Sequence, residues 1–173
     1  MPEFKLGKHG PVSFLLAQVG AIAARQFANA LEPLKFSPSD AGILRLLGRS
    51  PGMSQQELAK KLDMHASRLV GVIDALEQRG LVAREPNPED RRLYALHLTG
   101  GAGTEALAAI GVVARNHNEA ICAGLNEMER EQLTAILEKI AVAQHLTAGV
   151  HPGYRDMGER RREAGTGTEQ PAK

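Results

Sequence analysis

Tryptophan is absent, tyrosine and phenylalanine number only 2 and 4, and cysteine occurs once in 173 residues. One cysteine cannot close an intramolecular disulfide or supply the paired thiolates of a cysteine-based zinc site. With aromatics at 3% and apolar residues at 43%, the core must be built from leucine, isoleucine, valine and alanine, which favours helices. No apolar run is long enough to span a bilayer. The first residues carry charge, but no adequate apolar segment follows as a secretion signal would require. A cytoplasmic, water-soluble protein is therefore expected. Charge of one sign is also missing: 21 basic against 20 acidic side chains leave a net charge of +1. A nucleic-acid partner would have to be met by cations gathered locally.

The histidines (His9, His65, His97, His117, His145 and His151) are scattered and fall into no ligand spacing. Serine, histidine and aspartate occur without a nucleophile-elbow motif, and the glycines of 100–103 lack the lysine and hydroxyl of a phosphate-binding loop. No enzyme, metal or cofactor is expected. Cys122 falls in an apolar helix, where a buried, inert thiol is the usual outcome.

What the chain does contain is concentrated in residues 54–99. Ser54 and Glu57 form the pattern of a capping box, and Leu58, Ala59 and Leu62 follow at helical spacing. Asp63 and Met64 make a short connection. A second helix then runs from about His65 to Gln78, with Ala66, Leu69, Ile73 and Leu76 on its apolar stripe. Its other face holds Ser67, Gly71, Asp74 and Gln78, with His65 and Arg68 near its start. A small, polar, cation-bearing face suits entry into a major groove, where the N-terminal residues of a helix reach base edges. Gly80 sits where a C′ glycine would stop the helix.

Two strands are expected next, Leu81–Arg84 and Leu93–Leu98, joined by the charged tip Glu85-Pro86-Asn87-Pro88-Glu89-Asp90-Arg91-Arg92. Its prolines should end each strand's ladder. Arg91 and Arg92 place cationic reach at the end of a hairpin, suited to phosphates or a minor groove.

The run ASRLVGVIDALEQRGLVAREPNPEDRRLYALHLT resembles the winged helix-turn-helix of MarR-type transcription regulators. The S-R-L-V start, the D-x-L-E-x-R-G-L-V exit and the D-R-R wing closing on L-T carry the likeness, which extends over about residues 10–147. It implies a mainly α fold with a small β-wing, in which a winged helix-turn-helix domain joins a helical dimerisation region. The expected divisions are 1–36 as arm and dimerisation helix, 37–99 as DNA-binding domain, 100–148 as C-terminal dimerisation helices, and 149–173 as a disordered tail. It further implies a homodimeric, sequence-specific repressor of double-stranded DNA, acting on a pseudo-palindromic operator. A small lipophilic or phenolic effector would bind between the first helix, the second helix and the post-wing helix. Candidate DNA contacts are Ser54, His65, Ser67, Arg68, Gly71, Arg84, Arg91 and Arg92, with Arg92 favoured over Arg91 and Asp90 bracing the wing. The competing reading is a winged-helix module for protein–protein contacts without specific DNA binding.

Outside that unit, Phe14, Leu15, Val19, Ile22, Phe27 and Leu31 make the first helix apolar on more than one stripe, as expected of burial on two sides, a partner chain supplying one of them. Ser37, Pro38 and Asp40 announce the next helix, whose core face is Ile43, Leu44, Leu46 and Leu47. Gly100-Gly101-Ala102-Gly103 reads as a flexible joint. Beyond it come a helix from Thr104 to about Ala123 and, after an Asn126 cap, a last helix with Leu133, Ile136, Leu137, Ile140 and Val142 on one face.

Overall fold

The computed structural model describes residues 10–62, 64–87 and 94–146. Among the described residues six helices and three short strands follow one another as α1 (Val12–Leu31), α2 (Pro38–Arg49), β1 (Met53–Ser54), α3 (Gln55–Leu62), α4 (Ala66–Gln78), β2 (Val82–Pro86), β3 (Tyr94–Leu98), α5 (Ala102–Ile121) and α6 (Glu127–Ala143). A single 3-10 turn, Glu32–Leu34, lies between α1 and α2 and ends at Lys35 in the left-handed region, φ 57°.

Local chemistry fixes where these helices begin. At α2, the Ser37 hydroxyl accepts from the Asp40 N–H at 3.1 Å while Asp40 accepts from the Ser37 N–H at 2.8 Å, with Pro38 at the first helical position. At α6, Asn126 and Glu129 make the same reciprocal pair at 3.0 and 2.9 Å. The end of α4 is equally defined. Gly80 has φ +68°, its N–H donates to the Glu77 carbonyl at 2.8 Å, and the Leu81 N–H reaches back to the Leu76 carbonyl at 3.0 Å. These are the two bonds of a Schellman stop, and its usual apolar contact is available because Leu76 and Leu81 are both in the core.

The core lies under the middle of the chain. Ile43, Leu44 and Leu47 of α2, Leu58 and Leu62 of α3, Leu69, Ile73 and Leu76 of α4, and Val82 and Leu96 of the sheet are essentially inaccessible. Ala106 and Ile110 extend this cluster onto α5. The antiparallel sheet has the order β1-β3-β2, with Met53 opposite Leu96 and Val82 opposite Leu98. The β1 strand was not expected. It consists of two residues that borrow their partner from far along the chain, a pairing no local period announces. The β2 strand also runs farther than expected, through Pro86 opposite Tyr94. It is an edge strand, where proline's missing donor is tolerated.

Within one chain α1 lies along α5, which leaves open the side expected to meet a partner: Leu31 is its one buried residue, while Val12, Phe14, Val19 and Ile22 are exposed. Helix α6 buries no residue, and Ile136 is 55% accessible. The flexible joint expected at residues 100–103 is corrected at Gly103, which is closely packed against Leu81 and Thr99. The Thr99 hydroxyl donates to the Gly80 carbonyl at 2.6 Å and accepts from the Gly103 N–H at 2.9 Å, and the Thr99 N–H donates to the Leu81 carbonyl at 3.1 Å. Gly101 caps α5 with φ +84°. A Cβ on Gly103 would stand 2.3 Å from the Leu81 oxygen, so glycine is required there by contact.

Candidate nucleic-acid interface

Helix α3 is held at its start by Ser54. The Ser54 N–H and hydroxyl both donate to Glu57, at 2.8 and 2.9 Å, and the Glu57 N–H donates to the Ser54 hydroxyl at 3.2 Å. The backbone and side-chain hydrogen bonds from Ser54 hold the Glu57 carboxyl below its ordinary value of 4.5. Ser54 is buried and pairs with Ala95 in the sheet. Its hydroxyl is thereby committed to the cap, which takes Ser54 away from the face on which it was expected to act.

Helix α4 turns its core stripe inward and leaves Ser67, Gly71, Ala75 and Gln78 exposed on the opposite side. His65 is its exposed N-cap and makes no side-chain cap bond. Arg68 is half-buried in the first turn, and Val70 is 44% accessible. No atom lies within 4 Å of where a Gly71 side chain would begin. Packing therefore does not require glycine at 71; its effect is to keep this face low. His65, Ser67, Arg68 and Gly71 thus gather along one exposed end and side of a single helix, as their spacing indicated.

Arg84 is placed differently. From β2 its Nη2 donates to Asp74 of α4 at 2.5 Å and its Nη1 donates to Glu77. Its side chain keeps 17% of its accessibility. Burial by itself would pull its pKa down, but the hydrogen bonds and charges of Asp74 and Glu77 outweigh this and hold it above the ordinary value. An arginine with both ends taken up is a brace between wing and helix, a role the sequence reading missed because the three residues meet only in the folded chain. Arg79, just past α4, lies 4.4 Å above the Phe36 ring and 3.9 Å from Asp40. It fastens the C-terminal end of the helix to the start of α2. Asp90, Arg91 and Arg92 lie outside the described residues, as does Asp63.

Among the described residues there is no group of three or more histidine, cysteine or acidic side chains placed to hold a metal. Cys122, at the end of α5, is half-buried and unpaired by disulfide. No helix among them is long and apolar enough to cross a membrane.

A short helix, a turn, a second helix with an open polar face and an antiparallel sheet behind it define a winged helix-turn-helix protein. The MarR family model matches residues 36–94, which span α2 through the start of β3. A Thauera aromatica protein, named as a proposed transcriptional regulator of the hcr operon, is 34% identical over 76% of this chain and 79% of its own length. Among solved structures, the transcriptional repressor CouR bound to a 23-mer DNA duplex superposes with TM-score 0.68 at 30% identity, covering 76% of this chain and 92% of that one. A Mycobacterium tuberculosis MarR family protein in complex with DNA gives TM-score 0.65 at 28% identity over 76% and 98%. The same protein in complex with salicylic acid gives 0.62 at 29% over 78% and 99%. The chain belongs to the MarR family.

Proposed function

We propose that the protein is a homodimeric repressor of transcription that reads a pseudo-palindromic operator in double-stranded DNA, and that it is not an enzyme. The observation that carries this reading is the open face of α4, where Ser67, Gly71 and Gln78 stand exposed beside His65 and Arg68. Two such helices would enter successive major grooves about 10 base pairs apart. Arg91 and Arg92 of the wing would contact the flanking backbone or minor groove, Asp90 holding the hairpin. Ser54 acts indirectly, by starting α3. In this division residues 37–99 read DNA, while 1–36 and 100–148 supply the dimer and 149–173 a tail.

The dimer is supported by the apolar surface a single chain leaves open on α1 and α6, including Phe14, Val19, Ile136 and Leu137. Apolar side chains left open along helix faces are what association surfaces bury. An effector of aromatic or phenolic character is supported by one relative, the Mycobacterium tuberculosis protein, solved with salicylic acid and with p-aminosalicylic acid. It is also supported by the α1–α5 contact, where the Phe27 and His117 rings lie 5.4 Å apart. His117 Nε2 is buried there without a hydrogen-bond partner among the described residues.

The experiment is a footprint titration on the DNA upstream of the protein's own gene, at low and near-physiological salt and with competitor DNA. Two protected half-sites that persist with salt are expected. Binding that vanishes as salt rises, with no footprint on that fragment or on genomic fragments, would refute the reading in favour of a protein–protein module.

A further inference from the structure

The recognition helix carries the wrong charge for a polyanion. Between Ala66 and Gln78 a single cation, Arg68, stands against two carboxylates, Asp74 and Glu77. Asp74 lies three residues beyond Gly71 and seven beyond Ser67, which sets it on their face of the helix; Glu77 follows on the side of the wing. Both side chains are open, at 48% and 41% accessibility. Uncompensated carboxylates there would face the phosphates, and like-charge juxtaposition across an interface is costly. Arg84 answers both from β2, one guanidinium nitrogen to each carboxylate. Lysine, a point charge, could not fork between them.

We propose that Arg84 is a positioning residue for DNA binding: it masks the charges of Asp74 and Glu77 from the phosphates, without touching DNA itself. This rests on the DNA-binding reading above. It predicts that Arg84 is needed only while the two carboxylates are charged.

The test compares the full-length protein with R84A, D74N/E77Q and the triple variant, on a DNA duplex enriched from a random pool by the wild-type protein. Circular dichroism melts report folding. R84A should bind at least about tenfold more weakly. D74N/E77Q should bind no more weakly than wild type, and adding R84A to it should change affinity by less than about threefold. A tenfold further loss in the triple variant would mean that Arg84 contacts DNA directly, and unchanged binding by R84A would leave it no role; either overturns the proposal. If R84A does not fold, the comparison of D74N/E77Q with the triple variant still decides. Failure of the wild type to enrich any duplex refutes the DNA-binding reading itself, before any variant is made, and this inference with it.

Discussion

Replacing Gly103 by alanine puts a methyl group where the Leu81 carbonyl oxygen already is. The added carbon would lie 2.3 Å from that oxygen and 2.9 Å from the Thr99 hydroxyl, both far inside ordinary contact. Neither obstacle is the loose end of a flexible side chain. One is backbone at the start of the wing, and the other is a hydroxyl held between the Gly80 carbonyl and the Gly103 N–H. Helix α5 must therefore draw back, at an overpacking cost of about 1–3 kcal/mol, and the Thr99 bonds stretch or break at about 1 kcal/mol each. Alanine's better helix propensity returns at most about 1 kcal/mol, and less so close to a helix start. The net loss is about 2–3 kcal/mol, which for a chain of this size lowers the melting temperature by roughly 5–10 °C. Gly100 supplies the control, since nothing lies within 4 Å of its Cβ direction and it carries no positive φ. Gly100→Ala should melt within about 2 °C of wild type, a surface change free of such contacts. Melts by circular dichroism at one fixed protein concentration make the comparison, because a dimer's midpoint moves with concentration. Equal midpoints for Gly103→Ala and wild type would refute the close-packed junction and restore a flexible joint.

Removing the guanidinium in Arg68→Ala should weaken operator binding by about 1–3 kcal/mol with the melting temperature unchanged; footprint titration and a melt separate the two effects. Ile136→Glu puts a charge on the open face of α6 and should shift the protein toward monomer in sedimentation equilibrium at micromolar concentration, while an unchanged dimer would exclude that face from the interface. Glu57 has a depressed folded-state pKa, so its contribution to stability is complete above the ordinary carboxylate value and is lost as pH falls through the depressed one. Glutamine keeps the cap's acceptor but does not titrate, so Glu57→Gln should melt with a shallower acid limb than wild type below about pH 4.5. Parallel acid limbs would contradict it.

The helices were legible because their determinants are local. Ser37 with Asp40, Ser54 with Glu57, and Asn126 with Glu129 each lie within one turn, and all three capping boxes form in the structure. Gly80 stops α4 by a bond pattern confined to residues 76–81. Charge and exposure were harder to read. Arg84 looked like a free cation because its position in the sequence says nothing of the strand crossing that lays it beside Asp74 and Glu77. Gly103 looked loose because the sequence shows a missing side chain but not the Leu81 carbonyl that fills its place. The apolar stripes of α1 and α6 were visible, but whether their cover came from the same chain was not. Periodicity reports that a face is apolar and is silent about what meets it.

That last distinction bears on how the reading helix is held. The core beneath α2, α3 and α4 is complete within one chain, with its largest leucines inaccessible, whereas α1 and α6 expose most of theirs. The surfaces that stabilise the winged unit and the open faces proposed for assembly are thus different. Helix α4 is joined to the outer helices at a few short points. Arg79 stacks on Phe36 beside the start of α2, just after α1, while Gly80 and Leu81 are bonded through Thr99 to the start of α5. Both attachments fall at the C-terminal end of α4, leaving Ser67 and Arg68 at the far end. The Thr99–Gly103 junction is one of these attachments, so Gly103→Ala should also weaken operator binding in a footprint titration at temperatures where melts show the fold intact.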